Sequence, residues 1–203
     1  MTSASPAPET SDRARQSAAA AQAAALERLL SEPAALARAN INPTSLLATD
    51  YLNHFNEAVM LIELVPDMPD MLDDAKHWRP KDYKQHFHDS NFASKKLVCA
   101  AYDRAPPRFR IPFDLTVRAI NRRLLQTVAE LEARLAEGGA SESFDALVVE
   151  RCASLKHLIS VAGSIVNSGE AHVMRATATA EPEPVVDDAE NTLSQDDIDA
   201  LFK

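Results

Sequence analysis

Three histidines and two aspartates of this 203-residue chain stand close enough in sequence to suggest a metal site. They are His77, Asp82, His86, His88 and Asp89. His86 and His88 are separated by one residue, a spacing that on a helix turns the two rings about 200° away from each other. Because the ligands of a metal ion must converge on one point, we predict no metal site here.

Glycine is scarce in this sequence, where only Gly138, Gly139, Gly163 and Gly169 occur. Neither the phosphate-binding loop nor the dinucleotide-binding pattern G-x-G-x-x-G is present, and no G-x-S-x-G nucleophile motif is found. We therefore predict no cofactor. The tight turns of a β-sheet also need glycine, so a chain with 46% apolar residues and four glycines is expected to be all-α.

The two cysteines, Cys99 and Cys152, are isolated and lie inside apolar helical patterns. They are typical of reduced core cysteines in a cytoplasmic protein. Glu9 and Asp12 occupy the region where a signal peptide would carry positive charge, and no apolar run approaches the ~20 residues that a membrane span needs. The sequence predicts a cytoplasmic protein without membrane insertion.

Charge is distributed unevenly along the chain, whose formal net charge is −9. Residues 181–203 contain eight acidic residues against the single base Lys203, so this stretch alone carries −7. One stretch is basic; its arginines are Arg104, Arg108, Arg110, Arg118, Arg122 and Arg123. We interpret the arginines as a solvated or salt-bridged helix face and expect no nucleic-acid partner for so acidic a chain.

Composition and periodicity divide the chain into five parts. The predicted parts are a disordered stretch 1–10, an Ala-rich mobile helix within 11–43, a helical body 44–170, an acidic linker 171–192 and a short amphipathic interaction helix 193–203. The Ala-rich helix is expected over 11–39 because alanine favours helices while large apolar residues are few there. The linker is assigned from its alanines, prolines and acids.

The body is predicted to be a helical bundle. Its expected helices are 44–65 with Thr44 as N-cap, three short ones at 69–78, 80–88 and 92–104, and two long ones at 112–137 and 143–167. The long helices have matched apolar stripes and a short connection, which predicts an antiparallel α-hairpin. Either helix 44–65 or a second copy of the chain must cover that stripe, so a homodimer is one predicted arrangement.

The last eleven residues carry the signals of a helix start. Ser194 is placed as an N-cap, and Asp197 three residues later can return a hydrogen bond to the cap. Leu193 and Ile198 match a hydrophobic staple, and Ile198, Leu201 and Phe202 share one face. A helix this short is marginal alone in water, so the pattern indicates either a segment that folds on a partner or a tail that docks on its own domain.

The same segment resembles the peptide L-S-Q-x-E-I-D-x-L-L with which the flagellar motor switch protein FliM binds the phosphorylated receiver CheY. Asp197 replaces Glu, Phe202 replaces Leu, and the segment lies at the end of this chain. The resemblance implies that Ile198, Leu201 and Phe202 enter the groove of a CheY-like receiver, with Gln195, Asp196 and Asp197 near its basic rim. The predicted partner-binding residues are Leu193, Ser194, Gln195, Asp196, Asp197, Ile198, Leu201 and Phe202.

The layout of hairpin, linker and C-terminal helix also resembles the chemotaxis phosphatase CheZ. Its catalytic acid and glutamine, four residues apart, are not matched here, since Arg122 precedes Gln126 at that spacing. Other receiver phosphatases use E-x-x-N, and Asp50 with Asn53 has this spacing on one helix face. The residue four before Asp50 is Leu46, where that family has a polar residue.

Three functions follow from these patterns. The first is a non-enzymatic adaptor of bacterial chemotaxis or motility that binds a CheY-like receiver, with the flagellar switch or a chemotaxis complex as a further partner. The second is a receiver phosphatase with Asp50 and Asn53 as water-positioning residues. The third is a structural helical assembly protein whose tail packs on its own body.

Overall fold

The computed structural model describes residues 8–138 and 141–177, and within these ranges the protein is all-α. Eight α-helices and one short 3₁₀ helix make up the described part. Its one β feature is an isolated antiparallel bridge between Ile41 and Ala48. The fold class predicted from the scarcity of glycine is therefore confirmed.

The helices follow one another with short connections. In chain order they are α1 (Pro8–Leu30), α2 (Pro33–Arg38), α3 (Asn53–Leu64), α4 (Met71–His77), α5 (Tyr83–Asp89), α6 (Lys95–Arg104), α7 (Pro107–Gly138) and α8 (Glu142–Thr177). The 3₁₀ helix Thr49–Leu52 leads directly into α3.

The single helix predicted over 11–39 is in fact two helices. Glu32, which separates them, is extended with φ −100° and ψ 108°, because the ring of Pro33 disfavours helical geometry at the preceding residue. Pro33 then occupies the first turn of α2, where its missing N–H costs nothing. The first helix also begins earlier than predicted, at Pro8, inside the stretch 1–10 that was expected to be disordered.

Among the α1 side chains that the structure describes, those of the last turns pack on the body. Leu26 and Leu30 are partly buried against the core, and Glu27 forms an ion pair with Arg104 of α6. Residues 15–24 are exposed. The few large apolar residues of α1 therefore define where it packs.

The core helix predicted to begin at Thr44 begins at Asn53 instead. The side-chain oxygen of Asn42 accepts hydrogen bonds from the backbone N–H groups of Thr44 and Ser45, at 2.9 and 3.0 Å. Leu46 then has φ 58°, a left-handed conformation that interrupts any helix. The local preference of Thr44 for an N-cap is overridden by this Asx turn.

The three short helices of the middle region begin two or three residues later than predicted. Their bounds are Met71–His77, Tyr83–Asp89 and Lys95–Arg104, against predicted ranges of 69–78, 80–88 and 92–104. In α5 the reason is visible, because the Asp82 side chain caps the helix by accepting from the Gln85 N–H at 2.8 Å. Pro80 lies before this cap and outside the helix.

The two long helices form the predicted hairpin. Glu130 of α7 and Arg151 of α8 pair through two contacts of 2.8 and 3.1 Å, and the connection between the helices is too short for anything but a reversal of the chain. The first long helix starts at Pro107 instead of 112, so Pro112 lies inside it. Helix α8 continues to Thr177 and includes the first seven residues of the predicted linker.

The buried residues form one cluster between Ala35 and Val166. Helix α3 contacts α7, and Glu63 of α3 pairs with Lys156 of α8, so the apolar stripe of the hairpin is covered within the chain by the helix predicted for this role. The chain divides into two compact units, Met1–Gly169 and Glu170–Lys203. No helix in the described ranges is long and apolar enough to cross a membrane.

Candidate functional site

The partner-binding segment predicted from sequence lies outside the described residues, as does the linker from residue 178 onward. Its eight predicted contact residues are Leu193, Ser194, Gln195, Asp196, Asp197, Ile198, Leu201 and Phe202. The described part of the chain therefore bears on the other candidates, beginning with the acid and amide of the E-x-x-N comparison.

Asp50 and Asn53 differ sharply in their surroundings. Asp50 lies in the 3₁₀ helix and is half-buried, and its Oδ2 atom is buried with no hydrogen-bond partner among the described residues. Asn53 is the first residue of α3 and is exposed. A pair that positions water in the active site of another protein must present both side chains at the surface. The geometry does not favour that role for Asp50.

An aromatic cluster surrounds Tyr51, the residue next to Asp50. The ring of Tyr51 is fully buried, with its centroid 5.1 Å from Phe55, 5.2 Å from Tyr83 and 5.5 Å from His86. Its hydroxyl donates to the Lys81 carbonyl at 2.6 Å. Burial raises the pKa of Tyr51, so the hydroxyl remains a donor at physiological pH.

A chain of polar contacts connects this cluster to the start of α7. The Ala48 N–H donates to the Tyr83 hydroxyl at 2.8 Å, and the Tyr83 ring stacks on Tyr102 with centroids 4.5 Å apart. The Tyr102 hydroxyl donates to Asp114 Oδ1 at 2.8 Å. Burial raises the pKa of the Asp114 carboxyl, and the Tyr102 hydrogen bond and the charges of Arg110 and Arg118 oppose this rise.

His54 is a buried histidine of the same aromatic cluster. Its ring stacks on Trp78 with centroids 4.8 Å apart, and its Nε2 lies 3.0 Å from the Arg79 carbonyl. Burial, aided by the charges of His86 and Lys81, lowers the pKa of His54 to about 4. The ring is therefore neutral at pH 7, and its Nε2–H donates to the Arg79 carbonyl.

His54 was not among the candidate residues predicted from the sequence, although its spacing follows a helical pattern. Tyr51, His54, Phe55 and Ala58 follow the i, i+3, i+4, i+7 pattern of one helix face, and all four are buried. A polar residue at a core position of that pattern is a candidate for a hydrogen-bonded, uncharged side chain.

The histidines considered for a metal site do not come together. His77 and His88 are exposed, and Nδ1 of His77 bonds to the Asp73 carbonyl at 2.6 Å. His86 is half-buried against Tyr51, and burial followed by the nearby Lys81 charge lowers its pKa. Among the side chains that the structure describes, no group of three or more His, Cys, Asp or Glu residues is arranged to hold a metal ion.

Both cysteines are free and buried, as predicted. Burial raises the pKa of the Cys152 thiol to about 11 and also raises that of Cys99. A thiol that is protonated and shielded in this way is a poor nucleophile, so the two residues act in packing.

The basic stretch is only partly salt-bridged. Arg104 pairs with Glu27, and the Arg108 guanidinium lies 4.8 Å above the Phe109 ring. Three further arginines, all on α7, form no ion pair with a side chain that the structure describes: Arg118, Arg122 and Arg123. The basic stretch is therefore partly salt-bridged, as predicted, and its unpaired arginines are able to bind an acidic group from outside the described residues.

No known protein-family model matches the chain, and no curated protein and no solved structure matches it. A function for this protein must therefore be argued from its own residues.

Acidification is expected to destabilise the fold through His54. A histidine that is neutral when folded and has an ordinary pKa near 6.5 when unfolded binds fewer protons in the native state. Its contribution to stability is thus complete above about pH 6.5 and is lost as the pH falls towards 4. We expect a loss of about 2 kcal/mol over this range, measured by urea unfolding at several pH values.

The matched comparison is between two substitutions. His54→Gln removes the titrating group and should flatten this part of the pH profile, whereas His77→Gln changes an exposed histidine and should leave the profile unchanged. Equal pH dependence in wild type and His54→Gln would show that other groups cause the acid sensitivity.

Proposed function

We propose that this protein is a cytoplasmic adaptor of bacterial chemotaxis or motility that binds a phosphorylated CheY-like receiver through residues 193–203. The observation that carries the proposal is the sequence of this segment, in which the leucine, serine, glutamine, isoleucine and aspartate of the FliM peptide recur in the same order and spacing. The flagellar switch or a chemotaxis complex is the setting in which such an adaptor would work.

The physical design of the segment supports a partner-induced helix. Ser194 and Asp197 supply hydrogen bonds to the first backbone N–H groups, and Asp196 and Asp197 oppose the positive end of the helix. These features lower the cost of folding but cannot offset nucleation over so few residues. Apolar contacts of Ile198, Leu201 and Phe202 in a receiver groove would supply the rest of the free energy that stabilises the helix.

Of the two alternative functions, the receiver phosphatase is the one whose candidate residues, Asp50 and Asn53, lie in the described part of the chain. The half-buried position of Asp50 gives no support to the alternative of a receiver phosphatase. The adaptor is therefore the function that we carry forward.

The proposal is tested by titrating a labelled peptide of residues 191–203 with chemotaxis receiver domains, with and without a phosphoryl mimic. We expect binding that becomes at least about tenfold tighter when the receiver is activated. A scrambled peptide of the same composition is the control, because it keeps the charge and loses the apolar face. Equal binding of the two peptides would contradict the proposal.

A second measurement separates the adaptor from a structural assembly protein. At about 1 µM chain, where contacts between copies are dissociated, deletion of residues 185–203 should leave the melting temperature of the adaptor nearly unchanged, since its segment binds a partner. A tail that packs on its own body would instead stabilise that body, and its deletion would lower the melting temperature by several degrees.

A further inference from the structure

The outer face of α7 presents apolar and basic side chains in one row. Ile111 is 52% exposed and Leu125 is 47% exposed, and Arg118 and Arg122 are exposed between them. Positions 7, 11 and 14 residues after Ile111 return to nearly the same face of a helix. The row therefore forms a continuous strip about 21 Å long, which we call the α7 strip.

The α7 strip is strongly basic in a protein that is acidic overall. Residues 108–129 contain five arginines and only one acidic residue, Asp114. Asp114 is half-buried and accepts a hydrogen bond from the Tyr102 hydroxyl, and the charges of Arg110 and Arg118 also act on its carboxyl. Neither Arg118 nor Arg122 has a hydrogen-bonded or ion-paired partner among the described residues. The strip thus has two unpaired guanidinium groups framed by two exposed apolar side chains.

The complementary chemistry occurs in the same chain. In residues 193–203, Ile198, Leu201 and Phe202 would form an apolar face, while Asp196, Asp197 and Asp199 supply three carboxylates within four residues. A helix over these residues is about 15 Å long, which fits within the length of the α7 strip. The apolar face is about 6 Å long, so it would contact the exposed Leu125 at one end of the strip. Asp197 and Asp199 then lie on the two flanks of that face, about 100° from Ile198, where their carboxylates can pair with the arginines of the strip.

We propose that the α7 strip binds residues 193–203 of a second copy of this chain. Reciprocal exchange of the two segments closes a twofold-symmetric dimer and buries two such contacts. The charge complementarity of the strip and the segment is the basis for choosing this occupant. A nucleic acid would also neutralise the arginines but would leave Ile111 and Leu125 without apolar contacts.

This inference does not require the receiver. It does use the same face of residues 193–203, so a receiver that binds this segment would compete with dimerisation. The first variants below change α7 only and leave the segment intact, so a failure of the dimer and a failure of receiver binding are separately visible.

The test is the molar mass of the full chain by sedimentation equilibrium from about 1 µM to about 200 µM, where contacts of this size dissociate. We expect a monomer–dimer equilibrium that the double variant Arg118→Glu, Arg122→Glu weakens at least about tenfold. Arg134→Glu is the matched control, because Arg134 is exposed on the same helix but lies off the strip. Its dimerisation should equal that of wild type.

A charge exchange makes the test specific for the proposed contact. Combining Arg118→Glu and Arg122→Glu with Asp197→Lys and Asp199→Lys should restore dimerisation to within about threefold of wild type. A chain that stays monomeric over the whole range would overturn the proposal. So would a dimer that is unaffected by the α7 variants, or a strip that binds an RNA oligonucleotide and no segment peptide.

Discussion

The full chain carrying Leu201→Ala and Phe202→Ala is expected to bind an activated receiver at least about 100-fold more weakly than wild type. Both side chains belong to the apolar face that the FliM-like segment would insert into the receiver. Each truncation removes apolar surface worth about 1.5–3 kcal/mol when fully buried, so the pair supplies much of the binding free energy of a short helix. The affinity is measured by isothermal titration calorimetry.

The control for this prediction is Ala200→Gln, which lies on the opposite side of the predicted helix and keeps its propensity. We expect its affinity to be within about threefold of wild type. If the double variant bound the receiver as well as the Ala200→Gln variant does, the apolar face would not be the contact surface and the adaptor proposal would fail.

The largest effect on stability is expected from Tyr51→Ala, at about 3–5 kcal/mol. The Tyr51 ring is fully buried among aromatic rings that join the 3₁₀ helix to α5, so its removal leaves a cavity that the neighbours cannot close. Its hydroxyl also bonds to the Lys81 carbonyl. Trp78 is the one tryptophan of the chain and reports urea unfolding by its fluorescence.

Two further variants show which part of Tyr51 is responsible. Tyr51→Phe keeps the ring and removes the hydrogen bond, so we expect a loss of only about 1 kcal/mol. Val149→Ala truncates a side chain that is 68% exposed and should change stability by less than about 0.5 kcal/mol. A cost for Tyr51→Ala as small as that of Val149→Ala would mean that the aromatic cluster does not hold the fold together.

Helix class and hairpin were predictable because they depend on local patterns. The spacing of apolar residues along 112–137 and 143–167 repeats with the helical period, and a short connection between two long helices forces an antiparallel pair. Ends of helices were less predictable. Helix α5 begins after Asp82 and not at Pro80, because the Asp82 side chain caps it with one hydrogen bond. A single capping bond of this kind stabilises a helix by only about 1 kcal/mol, so small energies decide where a helix begins.

The start of the core helix shows how distant contacts override a local preference. Thr44 is a suitable N-cap by sequence, yet the chain around it forms an Asx turn and continues to Asn53 before α3 begins. Ser45 donates to the Val166 carbonyl at 2.8 Å, and the Ala48 N–H donates to the Tyr83 hydroxyl at 2.8 Å. Both partners are far away in sequence, so no local pattern could reveal them.

The sequence by itself determined the all-α class, the hairpin, the buried cysteines and the candidate segment 193–203, since each of these depends on residue type and spacing. Only the tertiary structure decided that Asp50 turns a buried oxygen towards the interior and that His54 stacks uncharged on Trp78. It also decided that Arg118 and Arg122 stand unpaired between exposed apolar residues. Burial and charge pairing depend on residues that folding brings together from distant parts of the chain, so the periodicity of the sequence cannot predict them.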